Sequence, residues 1–150
     1  MRDCKLEPVA ARILIVDDHL GARITIRELL EWHSFQVCGD AKSGKEAIEK
    51  VIELKPDIVL LDVNMPVMNG IQTAYEIRRI APSTKIVFFT VHDSPQFVSA
   101  MHVFSNAFVS KSAAGTELIP TLNRLAAITG GKPPDRSTKS PAQRSCRDNK

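Results

Sequence analysis

The stretch Ile58-Val59-Leu60-Leu61-Asp62 constrains this chain more than any other, because four consecutive apolar residues run straight into a carboxylate. Bounded by Lys55-Pro56-Asp57 before and Met65-Pro66 after, the run fits a strand covered on both faces inside a parallel sheet. An acid at the carboxyl end of such a strand stands where open α/β sheets bind their ligands. Asp62 is therefore a candidate for chemistry, although capping the following loop is the plainer reading of the residue taken alone.

Other segments supply the neighbours that such a strand needs. Ile13-Leu14-Ile15-Val16 is a β-branched run stopping at Asp17-Asp18, and Gly21 to Trp32 spaces Ile24, Leu29, Leu30 and Trp32 as an amphipathic helix. Phe35 to Cys38 is a weaker second strand. Ser43, followed three residues later by Glu46, predicts a capping-box start to a helix burying Ala47, Ile48, Val51, Ile52 and Leu54. After the central strand, Asn69-Gly70 reads as a turn and Ile71 to Ile80 as a third helix with Ala74, Ile77 and Ile80 inward. Lys85 to Thr90 is a fourth strand, Ser94-Pro95 opens a helix to about Phe104, and Ala107 to Lys111 is a fifth strand. Thr116 to Ile128 closes the pattern, with Leu118, Ile119, Leu122, Leu125 and Ala126 on one stripe and Pro120 in the first turns.

Strands alternating with helices in this way predict a doubly wound parallel sheet with helices on both faces. Right-handed crossovers then bring every strand's carboxyl end to one edge. Asp17, Asp18, Asp62, Thr90 and Lys111 all end strands, so the topology should gather them. Three carboxylates in one place repel, and a divalent cation held through oxygens relieves the repulsion; Mg²⁺ suits a few carboxylates, a carbonyl and several waters. With Lys111 added, the charges of such a site close to zero. A phosphoryl group transferred to Asp62 would form an acyl phosphate, with the ammonium and the Thr90 hydroxyl placed to stabilise its oxygens.

The motifs Val16-Asp17-Asp18-His19, Leu61-Asp62-Val63-Asn64-Met65-Pro66 with Gly70, Phe89-Thr90 and Phe108-Val109-Ser110-Lys111, in that order, resemble the response-regulator receiver domain over about residues 10–129. In style they are similar to receivers that precede a helix-turn-helix output domain. The resemblance implies a flavodoxin-like five-stranded fold. It implies Asp62 as phosphoacceptor, Asp18 as a direct Mg²⁺ ligand, Asp17 as a ligand through water, and the Asn64 backbone carbonyl as the remaining protein ligand. It implies further that Lys111 contacts the phosphoryl group, that Thr90 moves toward it, and that Phe108 turns inward as the switch aromatic. The fourth helix, fifth strand and fifth helix would form the signalling face. A sensor histidine kinase or a histidine phosphotransfer protein would donate the phosphoryl group, and the chain would catalyse only its own phosphorylation and dephosphorylation. Three positions depart from the family's habit. Val91 follows Thr90 where a smaller residue is usual, Ser112 follows Lys111 where proline is usual, and Phe104-Ser105-Asn106 replaces a glycine-containing stretch in which Asn106 is expected as a left-handed cap.

The 150 residues amount to one domain, and composition narrows the function classes around it. The three cysteines, Cys4, Cys38 and Cys146, are odd in number and widely spaced, which suggests neither a disulfide framework nor a zinc site. His19, His33, His92 and His102 are scattered without metal-ligand company in the sequence. No apolar run is long enough to span a bilayer, and Met1 to Arg12 lacks a secretory core, so cytoplasmic residence is expected. The net charge of +3 resides in residues 130–150, which carry six basic side chains against two acidic ones; the remaining body is slightly acidic. Residues 1–9 are expected to be an extension and residues 130–150 a disordered basic tail. That tail is too short and polar for an output domain, so output through protein contact, dimerisation or a shared phosphate pool is expected, without specific DNA binding. Two alternatives compete. A haloacid-dehalogenase-type phosphatase would need a second acid where Asn64 stands, and a tail-mediated nucleic-acid binder would show only salt-dependent, non-specific attraction.

Overall fold

β1 (Arg12–Val16), β2 (Gln36–Ala41), β3 (Ile58–Leu61), β4 (Lys85–Thr90) and β5 (Ala107–Ser110) form one parallel sheet in the order β2-β1-β3-β4-β5. The computed structural model describes residues 11–91, 99 and 105–128. α1 (Leu20–Trp32), α2 (Gly44–Leu54), α3 (Gly70–Ile80) and a C-terminal helix (Ile119–Ile128) cover the sheet. The expected helix from Ser94 to Phe104, the extension 1–9 and the tail 130–150 fall outside the described residues.

The apolar run Ile58–Leu61 is the middle strand. Ile58, Val59, Leu60 and Leu61 are all at most 1% exposed, because alternate residues face two different cores. Ile58 and Leu60 join Ile13, Ile15, Val87 and Phe89 beneath α1 and the C-terminal helix, against Leu30, Leu122 and Leu125. Val59 and Leu61 join Leu14, Val16, Ile86 and Phe88 beneath α2 and α3, against Ala47, Val51, Ala74 and Ile77. The register Val16↔Leu61, Leu61↔Phe88 and Thr90↔Ser110 aligns the carboxyl ends, so the residues just beyond them share one edge. The chain leaves β1 toward β2 and returns to β3 on β1's other side, which opens a crevice at that edge between β1 and β3.

Several local expectations are corrected. α1 buries Ile26 and Leu30 and leaves Ile24 and Trp32 exposed, since Ala22, Ile26, Leu29 and Leu30 form the i, i+4, i+7, i+8 stripe that meets the core and Ile24 falls on the opposite face. It ends in a Schellman motif: Ser34 is left-handed (φ 67°), and the N–H groups of Ser34 and Phe35 donate to the carbonyls of Glu31 and Leu30. That turn buries Phe35 outside the strand, and β2 runs on to Ala41, its register slipping between Ile13 and Leu14 so that Cys38 is skipped.

Ser43 caps α2 by accepting from the Glu46 N–H, but the Glu46 carboxylate takes the N–H of Lys42 rather than that of Ser43, so only half of the expected box forms. Ile52, expected inside, is exposed. Asn69-Gly70 is a helix start rather than a free turn: Asn69 and Gln72 make a complete capping box on α3. Asn106 does not adopt a left-handed backbone; its side-chain oxygen accepts from the Ile86 N–H at 2.9 Å and from Arg78, stitching the start of β5 to β4. β5 ends at Ser110, and Lys111 opens a 3-10 turn followed by a wide π turn, Ala114–Leu118. Regular helix begins only at Ile119, because Pro120 has no N–H to donate back and its ring crowds the carbonyl of Thr116.

Candidate functional site

The aligned strand ends deliver the polar groups to one place. Asp17 follows β1 and Asp62 follows β3, and the sheet ladder continues through both: the Asp17 N–H donates to the Ala41 carbonyl and the Asp62 N–H to the Val16 carbonyl. This anchoring holds two carboxylates that are only 2% and 4% exposed side by side. Lys111, just past β5, reaches between them; its Nζ lies 2.6 Å from Asp17 Oδ2 and 3.8 Å from Asp62 Oδ2. The ammonium also stands 5.8 Å above the Phe89 ring, which supports its stem.

Asp62 is shaped by opposing effects. Burial pushes its carboxyl above the usual range and the neighbouring Asp17 charge adds to this, while Lys111, the Asn64 N–H and the Thr90 hydroxyl favour the ionised form. The Asn64 N–H donates to Asp62 Oδ1 at 3.3 Å. Thr90 is fully buried, and its hydroxyl hydrogen-bonds the Asp62 carboxylate. Phe108, half-buried, packs against the core under α2 and α3. The loop after Asp62 folds back through the Gly70 N–H, which donates to the Val63 carbonyl. A Cβ on Gly70 would run into the Asp62 carbonyl oxygen, and it would stand 2.7 Å from Val63 Cα, so this position tolerates only glycine at such an approach.

Asp17, Asp18, Asp62 and His19 each offer one ligand atom, all within 4.8 Å of one another. Asp18 Oδ1 is buried yet has no hydrogen-bond partner, a costly condition that a bound cation would relieve. A set of three carboxylates with one exposed flank suits a hard dication that keeps several waters, so the residues present fit Mg²⁺.

All five strand-end groups expected from the sequence, Asp17, Asp18, Asp62, Thr90 and Lys111, meet at this edge. Asn64 lies beside them, exposed. Val91 is likewise exposed at the rim, whereas His92 lies outside the described residues. The expectation that no histidine has metal-ligand company is corrected for His19, whose Nδ1 lies 3.1 Å from Asp18 Oδ1. Sequence reasoning also missed Arg23, whose guanidinium donates to the Asp17 carbonyl at 2.7 Å and to Asp40 Oδ2 at 3.1 Å. Asp40 lies inside β2, one residue before its end, because that strand runs three residues beyond Cys38.

Comparison with known proteins agrees with this geometry. The family model for the response regulator receiver domain matches residues 13–123. The chain is 35% identical over 115 residues to the chemotaxis protein CheY of Thermotoga maritima, covering 76% of this chain and 96% of that protein. It is 34% identical to the nitrate/nitrite response regulator protein NarL of Escherichia coli, covering 78% of this chain and 55% of that one. Among solved structures, the receiver domain of the putative response regulator NarL from Mycobacterium tuberculosis superimposes with a TM-score of 0.74 at 30% identity, over 83% of this chain and all of that one. The chain belongs to the response regulator receiver domain family and is a component of two-component signalling. It thus spans nearly all of a CheY-type relative but about half the length of the NarL-type relatives it matches. Among the described residues no helix is long and apolar enough to cross a membrane.

Proposed function

We propose that the chain is a phosphoacceptor switch in which Asp62 receives a phosphoryl group from a phosphohistidine on a sensor kinase or a phosphotransfer protein. The observation that carries this reading is the convergence of the Lys111 ammonium on the Asp17 and Asp62 carboxylates at the carboxyl edge of the sheet. An Asp62 oxygen attacks phosphorus, the phosphorus–nitrogen bond of the donor breaks, and the departing imidazole keeps the electron pair and takes a proton. Lys111 pairs with a phosphoryl oxygen and the Thr90 hydroxyl donates to another, while the Asn64 N–H holds Asp62 Oδ1 in place. Asp17, Asp18, Asp62 and the Asn64 carbonyl would hold Mg²⁺, which supplies positive charge to the transferring oxygens.

Phosphorylation would leave Thr90 bonded to the new group, and Phe108 would follow into the space that Thr90 vacates. The altered β4–β5 side is the surface that a downstream protein or a second copy reads. The test is intact mass after incubation with Mg²⁺ and a small acyl phosphate. A gain of one phosphoryl group in the native chain, absent in Asp62→Asn, is the expected result; a gain that survives the substitution places the chemistry elsewhere.

A further inference from the structure

The amino edge of the sheet, opposite the acidic one, holds a cleft of about 620 Å³ where the carboxyl ends of α2 and α3 meet the starts of β3 and β4. That volume lies within the roughly 300–1,000 Å³ of sites that enclose small organic ligands. Ile52, Pro56, Ile80 and Pro82 make its apolar wall, and Ile52, whose spacing pointed inward, is 60% exposed there. Two cations stand in the same lining. Lys55 is the left-handed C-cap of α2 (φ 51°), and Lys85 is the half-buried first residue of β4. Among the described residues neither ammonium has an ion pair or a hydrogen bond. The groups that would ordinarily engage a cation at this edge are already taken. The Arg12 guanidinium caps α2, donating to the Leu54 carbonyl at 2.6 Å and to the Lys55 carbonyl at 3.1 Å. Asp57, the carboxylate of the lining, accepts the Arg12 N–H on Oδ2 at 2.9 Å.

The geometry points to a second binding site in this cleft, one for a small organic acid, whose anionic group pairs with Lys55 and Lys85 and whose compact apolar body lies against Ile52, Ile80 and the two prolines. The two ammoniums outnumber the Asp57 carboxylate, so the lining favours an anion over a cation. The apolar wall gains by shedding water onto the ligand's body, while the lysines discriminate against uncharged molecules of the same shape. The site is separate from the phosphoacceptor edge. β3 alone interposes four residues, about 13 Å at 3.3 Å per residue, between the cleft and Asp62. A molecule seated there leaves Asp62, Lys111 and the acidic cluster open, and both edges can be occupied together.

Anilinonaphthalene sulfonate, an apolar ring system carrying one anionic group, is the probe, and uncharged phenylnaphthylamine is its control. The full chain is titrated with each, following fluorescence and the backbone ¹H–¹⁵N shifts. The expected result is a single saturable site for the sulfonate, with shifts confined to residues 51–57 and 80–85, and several-fold weaker binding of the uncharged analogue. Lys55→Gln and Lys85→Gln each weaken the sulfonate by about three- to fivefold and leave the analogue unchanged, whereas Ile52→Asn weakens both. None of these three side chains is buried, so the variants keep the fold. Shifts scattered over the surface, equal affinity for the two probes, or lysine variants that bind the sulfonate as tightly as the native chain overturn the inference.

Discussion

Lys111 and Asp17 are 94 positions apart in sequence and their charged atoms are 2.6 Å apart in the fold. Asp17 is 2% exposed, and this ammonium pairs with it inside the edge. Lys111→Ala leaves two adjacent carboxylates facing each other without a counter-charge. Breaking a buried ion pair costs about 3–5 kcal/mol; Lys111 is partly exposed, so about 2 kcal/mol is expected here. Thermal unfolding with and without Mg²⁺ checks this: the loss should be large without the ion and mostly recovered with it.

Asp62 makes stability depend on pH in a stated direction. Its folded pKa is raised by burial, so the folded state resists its ionisation. Below the unfolded value both states are protonated and nothing is lost; as pH rises through the folded value, the ionised carboxylate destabilises the native state. Asp62→Asn should therefore raise the melting temperature at neutral pH without divalent ions, and the gain should shrink as pH falls toward the ordinary aspartate range. A gain that persists unchanged in acid contradicts this.

Gly70 couples the start of α3 to the backbone of Asp62. Because backbone atoms rather than a flexible side chain stand where a Cβ would go, Gly70→Ala must displace the loop carrying Asn64. We expect a loss of about 2 kcal/mol or more and a weaker Mg²⁺ affinity, seen together in denaturant titration and ion binding. Loss of one without the other would separate the loop from the site.

Arg23 spans two strand ends. One guanidinium holds both the Asp17 carbonyl and the Asp40 carboxylate, and a lysine lacks the fork to do both. Arg23→Lys should cost about 1–2 kcal/mol and loosen the Asp17-Asp18 turn, lowering Mg²⁺ affinity several-fold. Unchanged ion affinity in that variant would show that Asp62 and Lys111 alone order the turn.

Val91 stands exposed just past Thr90 at the rim of the site. Trimming it opens the approach to Asp62, so Val91→Ala should speed phosphorylation by a small acyl phosphate, hydrolysis of the product, or both. Stopped-flow and phosphate-release rates equal to those of the native chain would exclude a gating role.

The alternation of apolar runs with amphipathic stretches was enough to determine the parallel sheet, and the position of Asp17, Asp18, Asp62, Thr90 and Lys111 at strand ends was enough to determine their meeting. Both follow from local rules, since a strand's period and a crossover's handedness do not depend on distant side chains. What the tertiary structure alone decided concerns pairs with no local signature. Ile52 looked inward by spacing and faces solvent. Asn69-Gly70 looked like a turn and proved to be a helix cap held against the Asp62 carbonyl. Arg23 reaching Asp40, and His19 lying beside Asp18 without bonding it, depend on where α1 sits on the sheet, and that placement is set by burial of its Ile26 and Leu30 rather than by any residue near the site.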